Sequence, residues 1–519
     1  MASMFLITIA KRSKRSRFVD IAVALATFYG FYAIAIGTWR LYFHPLSKFP
    51  GPRLAALTLW YECYFDVFQG GQYFKEIERL HSIYGPIVRI SPSEIHIKDP
   101  EWVTELYPLG NRKRNKYAWF LSEGTNATSS ATVHHDVHRQ RRSALAPSFS
   151  KQSVVSFEET VIRPNISTMC SQLDAFARNG NPVVLGTVFS SLTIDSVLQM
   201  WYGAPPAQTN SWSFFPRWTD VIQPLLTGSH FFRHFPKSFY FLILVPKSVL
   251  DKMEGLSFIF GLQKETSALA KVAMESDHST KAPCLIQKLK SSPLPANERS
   301  LSRLSNEGFS FIMASTESTA QTLSAIFYHL ADNPDVLAEL RIQIRSLCKA
   351  RECTAQELSW TVLEQLSYLR YIVMESMRVT SSVTGRLARI APDETLKYKG
   401  WEIPPGTPVS MDHHFTHLDP TIFPEPKKFN PDRWKIASES GNSLDRYFLP
   451  FGRGSRMCIG MNLAKAIIYR TIATVVQNYD FDLFETTRDD VEIVRDNLIG
   501  AVKPDSQGVR VTLRQRMKT

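Results

Sequence analysis

Hydrophobic and polar positions divide the chain into a short head and a long body. Ile21 to Trp39 is a run of 19 residues without a charge. As a helix it would reach about 28 Å, close to the ~30 Å hydrocarbon thickness of a bilayer. Trp39 and Arg40 give one end an interfacial ring and a charge, and Arg17 stands near the other. The length predicts a retained transmembrane anchor rather than a cleaved signal, whose apolar region is shorter. Three prolines between His44 and Pro52 then make a stiff connector. Further on, Gly85–Pro92 and Glu94–Lys98 alternate like two short strands around a turn. Helical periodicity dominates later: Ser300–Leu330 follows the breaker Ser291–Pro295 and stops at Asn333-Pro334. Asp335–Lys349 and Leu363–Val379 read as two more helices. From Arg386 the pattern changes to short strands, turns and prolines, before a helix from near Gly460 to Gln477. The sum is mainly α with a small β region (α+β). It is organised as a basic tail (1–20), an anchor (21–39), a proline-rich hinge (40–53) and one large domain (54–519).

Composition adds two constraints. With 44% hydrophobic and 21% charged residues, the 519-residue chain can bury a large core. Its +12 charge, from 60 basic and 48 acidic residues, suits an acidic membrane or an acidic protein. Zinc-finger spacing and RNP-type strands are missing, so no nucleic-acid partner is expected. Six cysteines (Cys63, Cys170, Cys284, Cys348, Cys353, Cys458) lie scattered without a CxxC pair, which points to a reducing compartment. Asn126 and Asn165 head Asn-x-Ser/Thr triplets, too short a pattern to outweigh that reading. Lys11, Arg12, Lys14, Arg15 and Arg17 precede the apolar span, and Arg40, Lys48 and Arg53 follow it. The positive-inside rule applied to the first cluster would put the body in a lumen, against the cysteine usage. Both flanks are basic, so charge alone does not set the orientation.

The most informative segment is Leu449-Pro-Phe-Gly-Arg-Gly-Ser-Arg-Met-Cys458-Ile-Gly460. It places one cysteine after a glycine-rich loop and just before a helix. A thiol of pKa about 8.5 needs help to ionise at neutral pH, and a helix N-terminus, backbone N–H groups and a metal all give it. Gly452, Gly454 and Gly460 let the backbone pass close to a flat cofactor. Arg456 can pair with an anionic substituent. An inert buried thiol in a turn is the bland alternative. However, Phe451-x-x-Gly454-x-Arg456-x-Cys458-x-Gly460 resembles the haem-binding signature of the cytochrome P-450 family, with all five residues present.

The resemblance carries further residues with it. Glu375 and Arg378 are three apart on a helix face and resemble the family's Glu-x-x-Arg pair, with Arg433 of Phe429-Asn-Pro-Asp-Arg-Trp as the third member of a structural triad. His138-Arg-Gln-Arg-Arg142 resembles the family's Trp-x-x-x-Arg helix, with His in place of Trp. This implies that Arg142, His138, Arg389 and Arg456 hold the haem propionates. A zinc cluster of His134, His135 and His138 would lack a completing Cys or carboxylate. Ala314-Ser-Thr-Glu-Ser-Thr319 resembles the oxygen-activating motif of the central helix, with Ser315 for glycine and Ser318 for the first threonine. Glu317 keeps the acid, Ser318 supplies the hydroxyl, and Thr319 is its substitute. Serine and threonine in a buried helix also bond to the i−4 carbonyl with no further role.

The family fold is thus implied, with one N-terminal transmembrane helix. So is a haem b monooxygenase whose iron is held by Cys458, fed by NADPH through a diflavin reductase. The implied setting is the endoplasmic reticulum membrane, single-pass, with a cytosolic catalytic domain and an apolar small-molecule substrate. The thiolate would favour O–O cleavage. His44–Pro52, Gly70–Tyr73 and Leu80–Pro92 resemble fungal secondary-metabolism members of the trichodiene-oxygenase type, which suggests a terpenoid. Trp119, Phe120, Phe309, Met313, Ser382 and Val383 match substrate-contact positions of the family pattern. Rival readings are a same-fold isomerase or dehydratase without a reductase, a haem-carrying scaffold, and a sterol or fatty-acid hydroxylase.

Overall fold

The structure is a computed structural model that describes residues 2–120, 128–205, 226–238, 245, 249, 254–276 and 283–516. Asn126 lies outside them.

The head is one unbroken α-helix, Ala2–Thr38, continued by a π-helical turn, Trp39–Phe43. Its apolar window, Val19–Phe43, runs 25 residues at a mean hydropathy of 1.8; residues 19–35 are exposed, and its C-terminal end touches the body, where Arg40 donates to the Leu57 carbonyl and its own carbonyl accepts from Arg89. The span is longer than the charge-free run because it takes in Asp20 and Arg40. Helix ends at His44, whose backbone is extended (φ −65°, ψ 143°), as expected for a residue forced out of the helical region by the following proline. The hinge then docks firmly. Leu46 and Phe49 are buried, and the Phe49 ring stacks on Trp401 with centroids 5.0 Å apart. The Pro50 carbonyl accepts the Arg89 N–H at 2.7 Å. Gly51 sits so close that a Cβ there would stand 2.4 Å from the Arg89 carbonyl oxygen.

Five strands form the largest sheet among the described residues, ordered Ile87–Arg89, Ile95–Ile97, Pro408–Ser410, Arg389–Ile390, Asn115–Lys116, beside one three-stranded and two two-stranded sheets. The predicted hairpin is present, with Ile87 opposite Ile97. One parallel pairing, Ile95 with Val409, brings the two ends of the body together. Antiparallel pairing places Lys116 directly opposite Arg389.

Helices form the rest. The central helix, Leu301–Asp332, is capped by Ser300, whose hydroxyl accepts the Arg303 N–H, and ends at Asn333 before Pro334. It packs along Leu185–Tyr202, a helix buried nearly all round, and Phe189 stacks on Phe327 at 5.3 Å. Pro334–Ala350 and Met461–Asn478 follow the expected periodicity. The stretch predicted as one helix over Leu363–Val379 is two, Trp360–Leu363 and Ser367–Thr380. Leu366 breaks it by turning to an extended conformation (φ −72°, ψ 100°). Asn165 is buried in the helical core, donating to Ser196 Oγ at 3.2 Å and accepting from Gln199 at 3.1 Å, so its triplet is no glycan acceptor. All six cysteines are free thiols.

Candidate active site

The cysteine loop is built by main-chain bonds. Gly452 N–H donates to Leu449 O (3.0 Å), Met457 N–H to Gly454 O (3.1 Å) and Cys458 N–H to Phe451 O (2.8 Å). Phe451 itself packs half-buried against the core. Gly452 and Gly454 both take left-handed backbone (φ +69° and +78°). A Cβ at Gly454 would lie 2.6 Å from the Tyr107 carbonyl oxygen, so the loop rests on the Tyr107–Pro108 backbone. Gly454→Ala should therefore destabilise by at least about 1–2 kcal/mol from backbone strain alone, read as a lower urea midpoint. An unchanged midpoint would show that the loop does not need this approach. Gly460 caps Met461–Asn478, and its N–H turns toward Cys458. Burial raises the Cys458 thiol pKa, while the Gly460 amide and the Arg142 charge lower it. A sulfur with one amide and one guanidinium to stabilise its anion is the donor expected of a thiolate completed by a metal.

Behind the loop stands a buried charge cluster. Glu375 and Arg378 are fully buried and bidentate, with Arg378 Nε and Nη2 2.9 and 2.8 Å from the two carboxylate oxygens. Arg433 Nε joins at 2.9 Å. Trp434 Nε1 (2.9 Å) and the Asn430 N–H (3.0 Å) complete the carboxylate, two donors that the sequence did not reveal. Arg378 reaches on to the carbonyls of His417 and Pro426, both at 2.7 Å. His417 relays this to the loop: its Nε2 accepts the Leu449 N–H at 2.9 Å. Burial and the nearby His413 and Arg378 keep His417 neutral, so Nε2 is free to accept.

A second cluster carries excess positive charge. Burial and the neighbouring Arg389, Arg456 and Arg233 push the Lys116 ammonium down to about 7. Burial, Arg389 and Arg142 push Arg456 down to about 9. Burial and the arginines at 456, 142 and 389 push His138 to about 3, so it is neutral. Arg389 is buried in a strand paired on both sides, its guanidinium over the Tyr107 ring. Arg456 donates to Thr132 O (2.7 Å) and Val133 O (2.8 Å), tying the cysteine loop to the start of the His135–Leu145 helix. His135 accepts the Arg114 N–H instead (3.3 Å). Cations pressed together beside a thiol suit a flat cofactor with two carboxylates. Sequence reasoning missed Lys116, whose only signal is its register opposite Arg389.

The central helix presents its Ala314 and Ser318 face outward from the core: Ala314 is exposed and Ser318 half-buried, whereas Thr316, Glu317 and Thr319 are buried. Ser318 Oγ donates to Ala314 O at 2.8 Å, and Ser315 Oγ to Phe311 O at 2.7 Å. These are the i−4 bonds typical of helical serine, yet the Ser318 oxygen keeps its acceptor capacity on the open face. Thr319 turns into the core, away from that face. Of the six matched contact positions, Ser382 bonds Thr322 (3.0 Å) beside this helix, and Met313 packs half-buried on the core. Phe309 and Val383 are also half-buried. Trp119 donates to Glu62 (3.0 Å), and Phe120 lies under Arg233 and Arg386.

The sequence is similar to those of known proteins. The family description "Cytochrome P450" matches residues 52–506. A tryptophan 6-hydroxylase of Fusarium equiseti is 38% identical over 92% of this chain and 94% of its own. A conidiogenone synthase of Penicillium rubens is 36% identical over 95% and 100%. An N-acetyltryptophan 6-hydroxylase of Emericella nidulans is 35% identical over 93% and 96%. With the glycine-rich cysteine loop, the buried glutamate cluster and the cation pocket in place, the chain belongs to the cytochrome P-450 family of haem-dependent monooxygenases, among its fungal secondary-metabolism members.

Proposed function

We propose that this enzyme inserts one oxygen atom from dioxygen into an apolar terpenoid intermediate of a biosynthetic pathway. The observation that carries oxygen insertion over isomerisation is the intact Glu317–Ser318 pair, with the Ser318 hydroxyl on the open face of the central helix. Haem, when bound, supplies dioxygen activation, with Cys458 as the residue for its iron and Arg142, His138, Arg389, Arg456 and Lys116 for its carboxylates. Ala314 leaves room beside the helix. Ser318 accepts and hands on a proton at Oγ, and Glu317, one residue before, is the acid that replenishes it. The half-buried side chains of Phe309, Met313 and Val383 give substrate an apolar wall that excludes water.

Electrons come from NADPH through a diflavin reductase, whose acidic surface the +12 charge attracts. The Val19–Phe43 helix is exposed over residues 19–35 and has the length to cross a bilayer, which supports a single-pass anchor in the endoplasmic reticulum membrane. Free thiols throughout favour a cytosolic body. A second substrate reading is a tryptophan derivative, favoured by the two relatives whose names give indole hydroxylation.

The test is a labelled-dioxygen assay in microsomes with reductase and NADPH. The panel should hold terpene hydrocarbons, tryptophan derivatives, fatty acids and sterols. One labelled oxygen in a terpene is the expected result. Label in an indole, a sterol or a fatty acid would replace the substrate class and keep the reaction. Product formed without label or NADPH would overturn oxygen insertion in favour of isomerisation.

A further inference from the structure

Between the hinge and the body lies a buried cluster that the reaction does not use. Glu62 belongs to the helix Trp60–Cys63, and Asp66 to the π-helical turn Tyr64–Phe68 that continues it. A helical segment at 226–234 packs across them and brings His230, Arg233 and His234. All five side chains are at most 8% exposed. Asp66 Oδ2 lies 3.3 Å from His230 Nδ1, 3.6 Å from Arg233 Nη1 and 3.8 Å from His234 Nε2. Glu62 spends one oxygen on Arg386 Nη2 (2.6 Å) and Trp119 Nε1 (3.0 Å), and keeps the other for the cluster.

Four buried atoms here have no partner in hydrogen-bonding geometry: Glu62 Oε2, Asp66 Oδ2, His230 Nδ1 and His234 Nε2. Buried polar atoms are rarely left so, and four together call for an explanation. His230 Nε2 donates to the Asp496 carbonyl at 2.5 Å, which leaves Nδ1 with its lone pair facing Asp66 Oδ2. Two lone pairs at that range repel unless a cation stands between them. A proton on His230 would satisfy Asp66. It would do nothing for Glu62 Oε2 or His234 Nε2.

The ligand atoms of Glu62, Asp66 and His234 all lie within 4.8 Å of one another. Tetrahedral zinc sets its ligands at ~2.0–2.2 Å, so roughly 3.4 Å apart, a closure of up to about 1.4 Å by side-chain rotation. Charge agrees. Glu62, Asp66 and Glu94 carry three negative charges against two on Arg233 and Arg386, the latter 2.9 Å from Glu94, and the Asp496 carboxylate bonded to Thr384 adds another negative charge nearby.

We propose that Glu62, Asp66 and His234 bind a divalent transition cation, zinc by donor type, that fastens the 226–234 segment to the hinge-proximal helices. Carboxylate oxygen with imidazole nitrogen and no sulfur suits Zn²⁺. His230 or water supplies the fourth position.

The experiment uses the haem-loaded full chain, purified without a histidine tag and dialysed against buffered zinc. Zinc and haem iron are then counted by elemental mass spectrometry. One zinc per haem is expected in the parent protein, and its loss in Asp66→Asn and in His234→Gln with haem content unchanged. Should either variant fail to retain haem, zinc-edge X-ray absorption on the parent protein decides. A mixed nitrogen–oxygen shell supports the site. A sulfur-containing or all-oxygen shell overturns it, as does a parent protein holding no more zinc than its variants.

Discussion

Glu375→Ala is expected to yield a chain that cannot retain haem. The carboxylate is wholly buried and takes five donors: two from Arg378, and one each from Arg433, Trp434 and the Asn430 amide. Removing it strands two buried guanidiniums, a loss that typically costs ~3–5 kcal/mol. The damage does not stay local. Arg378 also fixes the His417 carbonyl, and His417 accepts the Leu449 N–H at the mouth of the cysteine loop. Without that anchor the Gly452 and Gly454 turns lose their footing, and Cys458 with them. The readout is haem per protein, with the carbon-monoxide difference spectrum of the reduced protein. Normal haem content in the variant would remove the cluster from its structural role. Trp434→Phe deletes one donor only and should cost about 1 kcal/mol with haem retained, a graded control.

Ser318→Ala should separate electron consumption from product formation. General acid–base participation is worth typically 10²–10⁴-fold, so product per NADPH is expected to fall by about 10² or more. NADPH oxidation would continue, with hydrogen peroxide released in place of product. Folding should hardly change, because the lost bond to the Ala314 carbonyl is a local i−4 contact in an intact helix. Ser318→Thr restores the hydroxyl and should restore coupling. Unchanged coupling in Ser318→Ala would leave the residue with its backbone bond alone.

What the sequence disclosed follows from how far apart the interacting groups lie. The cysteine loop is one contiguous segment, and its spacing of glycines, arginine and thiol is readable as written. Glu375 and Arg378 are readable for the same reason, being three apart on one helix. Trp434, next to a triad arginine, was within reach had its indole N–H been asked for a partner. His417 was not, because nothing near it in the chain marks it as the link to Leu449. Lys116 owes its place to antiparallel pairing with Arg389, a register that no local pattern encodes. The zinc-ligand cluster draws on Glu62, Asp66 and a histidine in the 226–234 segment, and its neighbour Arg386 is farther still. The break at Leu366 escaped because apolar periodicity continues through it, while the backbone does not. Arg40, which closes the charge-free run, lies inside the Val19–Phe43 apolar window. Its guanidinium reaches the Leu57 carbonyl, beside the helix end that Pro45 imposes.

The parallel pairing of Ile95 with Val409 sets a timetable for biosynthesis. The Ile87–Ile97 hairpin leaves the ribosome early, with one edge unsatisfied, and its partner strand is made roughly 300 residues later, some 15–60 s at ordinary translation rates. During that interval an open edge of apolar strand is a template for the wrong neighbour. The apolar Val19–Phe43 helix is already synthesised by then. As the proposed membrane anchor, it would hold each nascent chain apart from its siblings on a surface while the exposed edge waits for its own C-terminal half. Cys458 comes later still, so the thiol for the cofactor's iron is made only after that partner strand.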